Sequence, residues 1–311
     1  MRILVTAIGS MSAECVIRSL KKTNHYIFGC DIYPKDWHYE TRLCDAFAKA
    51  PYSTNEIEYI GFLLEICRKN DINFIVPLTD LEIDIINRNR SNFEEEGIIL
   101  CMQKDTVLKR VRNKYNLFCR FENDANVPSI KTFLLSEFTN EFPFPCIVKP
   151  INGRSSEGLI KNATLTQIAT IKEKSKFIVQ EQLTGDIFTI DVCRNAESRD
   201  CIVIPRQELL RTKNGAGLTV RICDEKNLTE LVRYICDELD INGCINMEFI
   251  LCDGNYYLID INPRFSAGVA FSSIAGYDMP NNHLNCFLGK RIAPQPTINE
   301  MILIKKYQEV Q

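Results

Sequence analysis

The residues best suited to chemistry lie in the segment 243–264, GCINMEFILCDGNYYLIDINPR. This segment places Glu248, Asp260 and Asn262 on two adjacent predicted strands, with Arg264 just beyond them. Oxygen ligands are those that Mg²⁺ prefers, and the ion usually keeps substrate phosphate in its coordination shell. The segment therefore predicts a hard cation that bridges the phosphates of a nucleotide, with a guanidinium beside it.

The turn between the two strands decides whether these donors meet. A two-residue turn would pair Glu248 with Ile259, which points the wrong way, because side chains alternate along a strand. We therefore predict a three-residue turn at residues 253–255, which pairs Glu248 with Asp260. Asn255 would take the left-handed conformation in this turn.

The predicted register sets two carboxylates directly opposite each other, where they repel. A divalent ion relieves that repulsion, so the pairing is reasonable with metal bound. The same register pairs Asn246 with Asn262. The alternative is a pair of acids on a solvated sheet face, although the flanking apolar residues favour a mostly buried sheet.

Groups that could bind phosphate lie upstream. Lys149 closes a predicted strand, Pro150 turns the chain, and a Gly/Ser loop follows at residues 153–158. Glycines allow close approach to a ligand, and loop amides can form an anion-binding nest. The loop candidates are Gly153, Ser155, Ser156 and Gly158. The sequence lacks the G-x-x-x-x-G-K-[ST] pattern of a P-loop, and a plain turn is the alternative.

Residues 1–100 are predicted to form a doubly wound α/β domain. Strand, turn, helix and strand succeed one another up to Asp31, and two further strands follow, the last near residues 97–101. The first turn contains a single glycine, Gly9, so the dinucleotide-binding G-x-G-x-x-G pattern is not met. A nicotinamide-dependent oxidoreductase is disfavoured on this ground.

Three polar residues follow a strand end in this domain, where open α/β sheets bind ligands. Thr79, Asp80 and Glu82 are therefore candidates for contact with a second substrate. The alternative is that Asp80 caps the next helix.

The remainder of the chain is predicted to be an α+β body. Residues 102–118 are helical and rich in Lys and Arg, and residues 224–240 form an amphipathic helix. Strands flank the loop at 153–158, and the hairpin closes the body.

Composition excludes several classes of protein. The chain has 311 residues and a net charge of -3, which argues against a broad nucleic-acid-binding surface. It contains no apolar run of about 18 residues and no signal-peptide pattern, so we expect a cytoplasmic protein that does not bind membranes. The 14 cysteines are irregularly spaced and indicate reduced, buried thiols. Three scattered histidines indicate no catalytic site.

The order of these motifs resembles the ATP-grasp superfamily. Lys114, Lys149, the Gly/Ser loop, VQEQL at 179–183, Glu248 and DINPR at 260–264 follow one another as in that family. The pattern is most similar to the branch of carbamoyl-phosphate synthase large-subunit-like proteins and amino-acid ligases. The resemblance implies a pre-ATP-grasp domain at 1–100, a small subdomain at 101–178, and a subdomain with the metal site at 179–311.

The resemblance also implies a role for each matching residue. Lys114 would bind the α-phosphate and Lys149 the α- and β-phosphates, while the loop would close over the β- and γ-phosphates. Backbone groups of Glu181 and Leu183 would bind adenine. The metal ligands would be Glu248, Asp260 and Asn262. The catalytic arginines would be Arg264, on the transferring phosphate, with Arg206 and Arg211 on phosphate or a substrate carboxylate.

The chain departs from the family pattern at several positions. Asp260 stands where a glutamate is usual, so its reach is shorter by one methylene. The usual ribose-binding glutamate falls at Ile187, so Asp186 or Asp191 would have to serve. Ser155 replaces a frequent glycine, and Glu157 puts an acid near the phosphates.

The resemblance implies an ATP-dependent carboxylate–amine ligase that forms an amide through an acyl-phosphate. Its cofactors would be ATP and Mg²⁺, or Mn²⁺ in its place, and its partners a small carboxylate, a small amine and a second copy of the chain in a homodimer. The alternatives are a component of a split carbamoyl-phosphate-synthase-like enzyme, a small-molecule kinase, and a nucleotide-binding module without turnover.

Overall fold

The computed structural model describes residues 1–139, 142–153 and 157–310. Within these ranges the chain forms three sheets: a parallel sheet of five strands, an antiparallel sheet of three and an antiparallel sheet of six. This is the α/β domain followed by an α+β body that the sequence predicts.

The five-stranded sheet has the order β3-β2-β1-β4-β5. Its strands are β1 Arg2–Val5, β2 Tyr26–Asp31, β3 Ala46–Lys49, β4 Phe74–Val76 and β5 Ile99–Leu100, and its helices are α1 Ala13–Lys22, α2 Glu56–Lys69, α3 Asp80–Arg88 and α4 Arg90–Glu95. The sequence predicted four of these strands and missed β3. That strand is a short edge strand, and its partly exposed residues give no clear alternation.

The three-stranded sheet has the order β6-β8-β7 and follows two helices. The helices are α5 Asp105–Val111 and α6 Lys114–Phe121; the strands are β6 Thr132–Leu134, β7 Cys146–Pro150 and β8 Phe177–Glu181. Helix α7, Leu165–Thr170, begins at a capping box in which Thr164 and Gln167 satisfy each other's backbone amides. Because β8 crosses residue 178, we propose that the boundary between subdomains lies in the connection at 182–185.

The six-stranded sheet has the order β13-β12-β9-β10-β11-β14. Its strands are β9 Asp186–Arg194, β10 Cys201–Arg211, β11 Gly217–Ile222, β12 Gly243–Cys252, β13 Asn255–Asn262 and β14 Met301–Ile304, and its helices are α8 Lys226–Glu238, α9 Val269–Ile274 and α10 Met279–Phe287. Strands β11 and β14 were not predicted. They extend the sheet at the side opposite the hairpin β12–β13.

Alternation along the central strands separates two faces of this sheet. One face is apolar and packs with α8, through residues such as Phe188, Ile190 and Met247. The side chains between them point the other way and include Thr189 and Glu248. The sheet therefore presents polar side chains to the space beneath the three-stranded sheet.

His283 joins the first domain to the second. Its Nδ1 accepts a hydrogen bond from the Cys244 amide at 2.7 Å, and its Nε2 lies 3.0 Å from the carbonyl oxygen of Cys101. Burial lowers the pKa of His283 to about 4. The imidazole is therefore neutral and structural at pH 7. Within the described ranges, no helix is long and apolar enough to cross a membrane.

Candidate functional site

A cavity of about 620 Å³ lies between the three-stranded sheet and the polar face of the six-stranded sheet. Most candidate residues from the sequence lie on its wall: Lys114, Lys149, Gly153, Glu181, Leu183, Arg206, Arg211, Glu248, Asp260, Asn262 and Arg264. Two do not: Asp186 is exposed at the start of β9, and Gly158 packs beside Pro150. Ser155 and Ser156 lie outside the described residues. Side chains that are far apart in sequence thus share one enclosed space.

The hairpin that carries the carboxylates has the predicted pairing but not the predicted turn. Glu248 is opposite Asp260. The turn, however, has two residues, since Cys252 pairs with Asn255, and φ is 47° at Asp253 and 78° at Gly254. The three-residue turn was therefore wrong, and Asn255 is an ordinary strand residue rather than a left-handed one.

A β-bulge restores the register that a two-residue turn would lose. The pairing shifts between Glu248, opposite Asp260, and Phe249, opposite Leu258. Ile259 is thus the extra residue on β13. One inserted residue exchanges the two faces of a strand, so the bulge returns Asp260 to the face of Glu248.

The carboxylates belong to a polar row across four neighbouring strands. Asp260, Glu248, Thr189 and Arg206 are directly paired from β13 to β10. Glu248 accepts a hydrogen bond from Arg211 at 2.6 Å, and Asp260 accepts one from Lys114, also at 2.6 Å. Each acid is therefore held by a cation on the cavity wall.

Electrostatics around Glu248 favour a further positive charge. Burial raises the pKa of Glu248, the neighbouring Asp260 raises it further, and Arg211 lowers it. A divalent ion between the two carboxylates would favour their ionised forms.

The donor set fits Mg²⁺ when substrate completes the coordination shell. Asn262 uses its Nδ2 to donate to Asn246 at 3.2 Å, so its side-chain oxygen is the atom suited to a cation. Within the described ranges, no three His, Cys, Asp or Glu side chains form a metal cluster. An ion here would therefore take two carboxylates, one amide oxygen and the rest from phosphate and water, as Mg²⁺ commonly does.

The two lysines reach the cavity from different elements. Lys114 begins α6, whose first amides donate to the Asn113 side chain. Lys149 lies on β7 and is buried, and burial together with Lys114 lowers its pKa to about 8. A buried ammonium of this kind is suited to bind an anion, because the negative charge of the anion replaces the stabilisation by water that burial removes.

This pKa predicts how nucleotide affinity changes with pH. Lys149 is protonated below about pH 8, and phosphate binding favours that form. We expect the dissociation constant of Mg-ADP to be constant from about pH 6.5 to 7.5 and to rise by up to about tenfold per pH unit above 8. Calorimetric titration measures it. The variant Lys149→Arg keeps its charge throughout and should flatten the profile. A flat wild-type profile to about pH 9.5 would contradict the assignment.

Arg264 is fixed by an acid from the first domain. Its Nε and terminal nitrogen both lie 2.9 Å from Oδ2 of Asp80, which is 3% exposed. Burial acts to raise the pKa of Asp80, but Arg264 and Arg112 outweigh it and lower that pKa. Asp80 neither caps α3 nor lies on the cavity wall, so its contact is with Arg264 rather than with a substrate.

The acid at the end of β2 is used within its own domain. Asp31 accepts a hydrogen bond from the Gly9 amide at 2.9 Å. A side chain at Gly9 would meet the ring of His38 at 2.4 Å, so glycine is needed there for packing. The space beside this turn is therefore occupied by the side chains of Asp31 and His38.

Sequence reasoning missed Thr189 and Glu208, which both lie on the cavity wall. Glu208 contacts Arg206, with Nε 3.3 Å from Oε1. The signal was available in the strand RQELLR, because residues two apart share a face. The second possible ribose acid, Asp191, is buried against Arg206 at 2.8 Å and does not line the cavity.

Comparisons with known proteins agree with this architecture. An ATP-grasp domain model matches residues 111–268, and a model described as the PylC-like N-terminal domain matches residues 3–101. The chain is 25% identical over 307 residues to an uncharacterized protein of Methanocaldococcus jannaschii, covering 94% of this chain and 76% of that protein. It is 27% identical over 172 residues to the carbamoyl phosphate synthase large chain of Caldanaerobacter subterraneus, covering 48% of this chain and 15% of that protein.

Solved structures share the fold at low identity. The biotin carboxylase domain of the Hydrogenobacter thermophilus 2-oxoglutarate carboxylase, in complex with MgADP, ADP and bicarbonate, superposes with a TM-score of 0.78 at 16% identity, over 96% of this chain and 73% of that chain. An L-amino acid ligase from Bacillus licheniformis gives a TM-score of 0.72 at 13% identity, over 92% of this chain and 74% of that chain.

Proposed function

Because the chain belongs to the ATP-grasp family, we propose that it is an ATP-dependent ligase that joins a carboxylate to an amine. The observation that carries this proposal is the single cavity in which two lysines, two paired carboxylates and three arginines lie together. No side-chain nucleophile is required for this chemistry. The protein contributes positioning and charge neutralisation, as in phosphoryl transfer generally.

The first step would activate the carboxylate. A substrate carboxylate oxygen attacks the γ-phosphorus of ATP, a new O–P bond forms, and the bond to the β–γ bridging oxygen breaks as ADP leaves. Lys114 and Lys149 bind the phosphates, and Arg264 binds the transferring group. Mg²⁺ held by Glu248, Asp260 and the Asn262 side-chain oxygen would neutralise charge on the phosphates.

The second step would form the amide. The amine nitrogen attacks the acyl carbon, a C–N bond forms, and the C–O bond to phosphate breaks. A neutral amine nitrogen loses one proton as the amide forms, and that proton leaves with inorganic phosphate; an amine that enters as an ammonium ion first gives one further proton to solvent. Lys114 and Arg211 pair with the two carboxylates that would hold Mg²⁺, so a bound ion would leave these two cations available to phosphate or substrate.

Two of the similar structures support a carboxylate substrate. One is a carboxylase crystallised with MgADP and bicarbonate, and another is named an L-amino acid ligase. Both names are consistent with the activation of a carboxylate. Bicarbonate therefore belongs among the acids to be tested, beside amino acids and other small carboxylic acids.

The testing experiment measures ADP and inorganic phosphate released with Mg-ATP against pools of amino acids, small carboxylic acids and bicarbonate, alone and in pairs. Both products should rise together only with a particular carboxylate and amine, and mass spectrometry should detect the amide. ADP without free phosphate would instead indicate a kinase. If neither ADP nor phosphate is released with any pool, although Mg-ADP still binds, ligation by this chain acting alone would be contradicted.

A further inference from the structure

A second polar cluster lies on the cavity wall beside the metal-binding row. We call it the Glu208 corner and define it by Thr189, Arg206, Glu208 and Ser266, which line the cavity, together with Asp191, which pairs with Arg206 but does not line the cavity. Arg206 is at its centre: it donates to Asp191 at 2.8 Å and to Ser266 at 3.1 Å, and it contacts Glu208. The cluster therefore has one cation and two carboxylates.

The corner contains acceptors that no described protein group satisfies. Among the residues of the corner that line the cavity, Oε2 of Glu208 and Oγ1 of Thr189 are buried and have no hydrogen-bond partner within the described ranges. The Glu208 side chain is only 1% exposed. A buried acceptor without a donor is destabilising, more so when it is charged, so this arrangement favours a ligand that brings donors.

The charge of the corner defines the kind of donor. Asp191 and Glu208 both contact the single guanidinium of Arg206. The charge of Lys305 also interacts with Glu208, but its Nζ donates to the carbonyl oxygen of Ala267 at 2.7 Å, so within the described ranges no cation donates to Oε2 of Glu208. An ammonium group matches the corner, since it carries positive charge, three donors and no acceptor.

The corner is also connected to the transferring end of the site. Ser266 comes two residues after Arg264, and the Gly268 amide donates to Ser266 at 3.1 Å. Arg206 thus joins the turn that follows Arg264 to Glu208. A ligand held at Glu208 would lie beside this turn, on the wall of the same cavity.

We propose that the Glu208 corner binds the amine substrate as its ammonium ion. This inference rests on the proposed ligase function and names the charge state in which the second substrate enters. Glu208 supplies the negative charge, and Thr189 supplies a hydroxyl oxygen. Neutral amides and acetylated amines would be excluded, because they leave the carboxylate without a counter-charge.

The test measures binding rather than turnover. The probes are the methyl esters of amino acids with uncharged side chains, which carry an ammonium and no carboxylate, each paired with its N-acetyl methyl ester, which carries no charge. Calorimetric titration is done in saturating Mg-ADP, whose own dissociation constant is measured first. That first value reports separately on the nucleotide site, so a failure of the proposed function is distinguishable from a failure at Glu208.

We expect the wild type to bind at least one ester, to bind its acetylated form at least about tenfold more weakly, and to lose about tenfold in affinity on Glu208→Gln. The affinity for Mg-ADP should change less than about threefold. The matched control is Glu230→Gln, an exposed position on α8 behind the other face of the sheet, which should bind every probe like the wild type.

A second variant tests Glu208 without removing its charge. A side chain added at Gly217 would meet Oε2 of Glu208 at 2.4 Å, so Gly217→Ala should displace the carboxylate and weaken ester binding in the same direction. The proposal is overturned if no ester binds to the wild type, if Glu208→Gln binds esters normally, or if Mg-ADP affinity falls as far as ester affinity. The last outcome would make Glu208 part of the metal site.

Discussion

The variant Asp260→Asn is expected to lower the rate of ADP release by at least about 1000-fold while changing the affinity for Mg-ADP by less than about tenfold. Asn keeps the size of the side chain and can still accept from the Ile261 amide, now at 3.0 Å. It removes the negative charge that faces Glu248. Nucleotide affinity is retained because Lys149 is unchanged.

The control for this variant lies in the same hairpin. Asp253→Asn makes the same chemical change at the exposed turn, where φ is 47° and Asn is well tolerated. It should leave both the rate and the affinity unchanged. Rates are measured with the substrate pair found by the product screen, and affinities by calorimetry. A wild-type rate in Asp260→Asn would remove Asp260 from the metal site.

The hairpin shows which features of strand pairing can be predicted from alternation along the sequence and which cannot. A period of two set the faces of β12 correctly, but in β13 it wrongly put Tyr256 and Leu258 on the face of Asp260; beyond the bulge they pack against the apolar core. It could not locate the bulge at Ile259, because residues 256–259 are all apolar or aromatic and show no change of phase. The pairing of Glu248 with Asp260 was confirmed, but through a two-residue turn and a bulge rather than a longer turn.

Contacts between segments that are distant in the chain could not be predicted from the sequence. Asp80 and Arg264 are 184 residues apart, and nothing local to α3 indicates that its first residue meets an arginine from the hairpin tail. Local signals favoured a helix cap. The Glu208 corner could be predicted in part. The spacing of Arg206 and Glu208 placed them on one face, but only the order of strands in the sheet brings Thr189 beside them.

Short or edge strands were the other omission. β3, β11 and β14 lie at or next to the edges of their sheets, where exposed residues blur the apolar pattern. Long buried strands such as β9 and β12 gave strong patterns and were predicted. Glu248 lies on such a strand, whereas Asp260 lies on the edge strand β13 and was recognised through its motif rather than through burial.

Arg264→Lys is expected to lower the turnover rate by at least about 100-fold, since removing one preorganised donor from a transition state commonly costs that much. Lysine keeps the charge but loses the planar fork that faces Asp80. Nucleotide affinity should change little. The same kinetic and calorimetric measurements separate the two effects, and an unchanged turnover rate would exclude Arg264 from the reaction.

Asp80 tests whether that arginine works only when it is held in place. Asp80→Asn should lower the turnover rate by about tenfold, and it should add little to Arg264→Lys, because the two side chains act through one contact. The matched control is Asp71→Asn, at an exposed position of the same domain where φ is 51° and Asn is tolerated, which should leave the turnover rate unchanged. Thermal midpoints of all four variants separate positioning from unfolding. If the losses at Asp80 and Arg264 multiplied in the double variant, the two residues would act independently, and the first domain would not position the arginine.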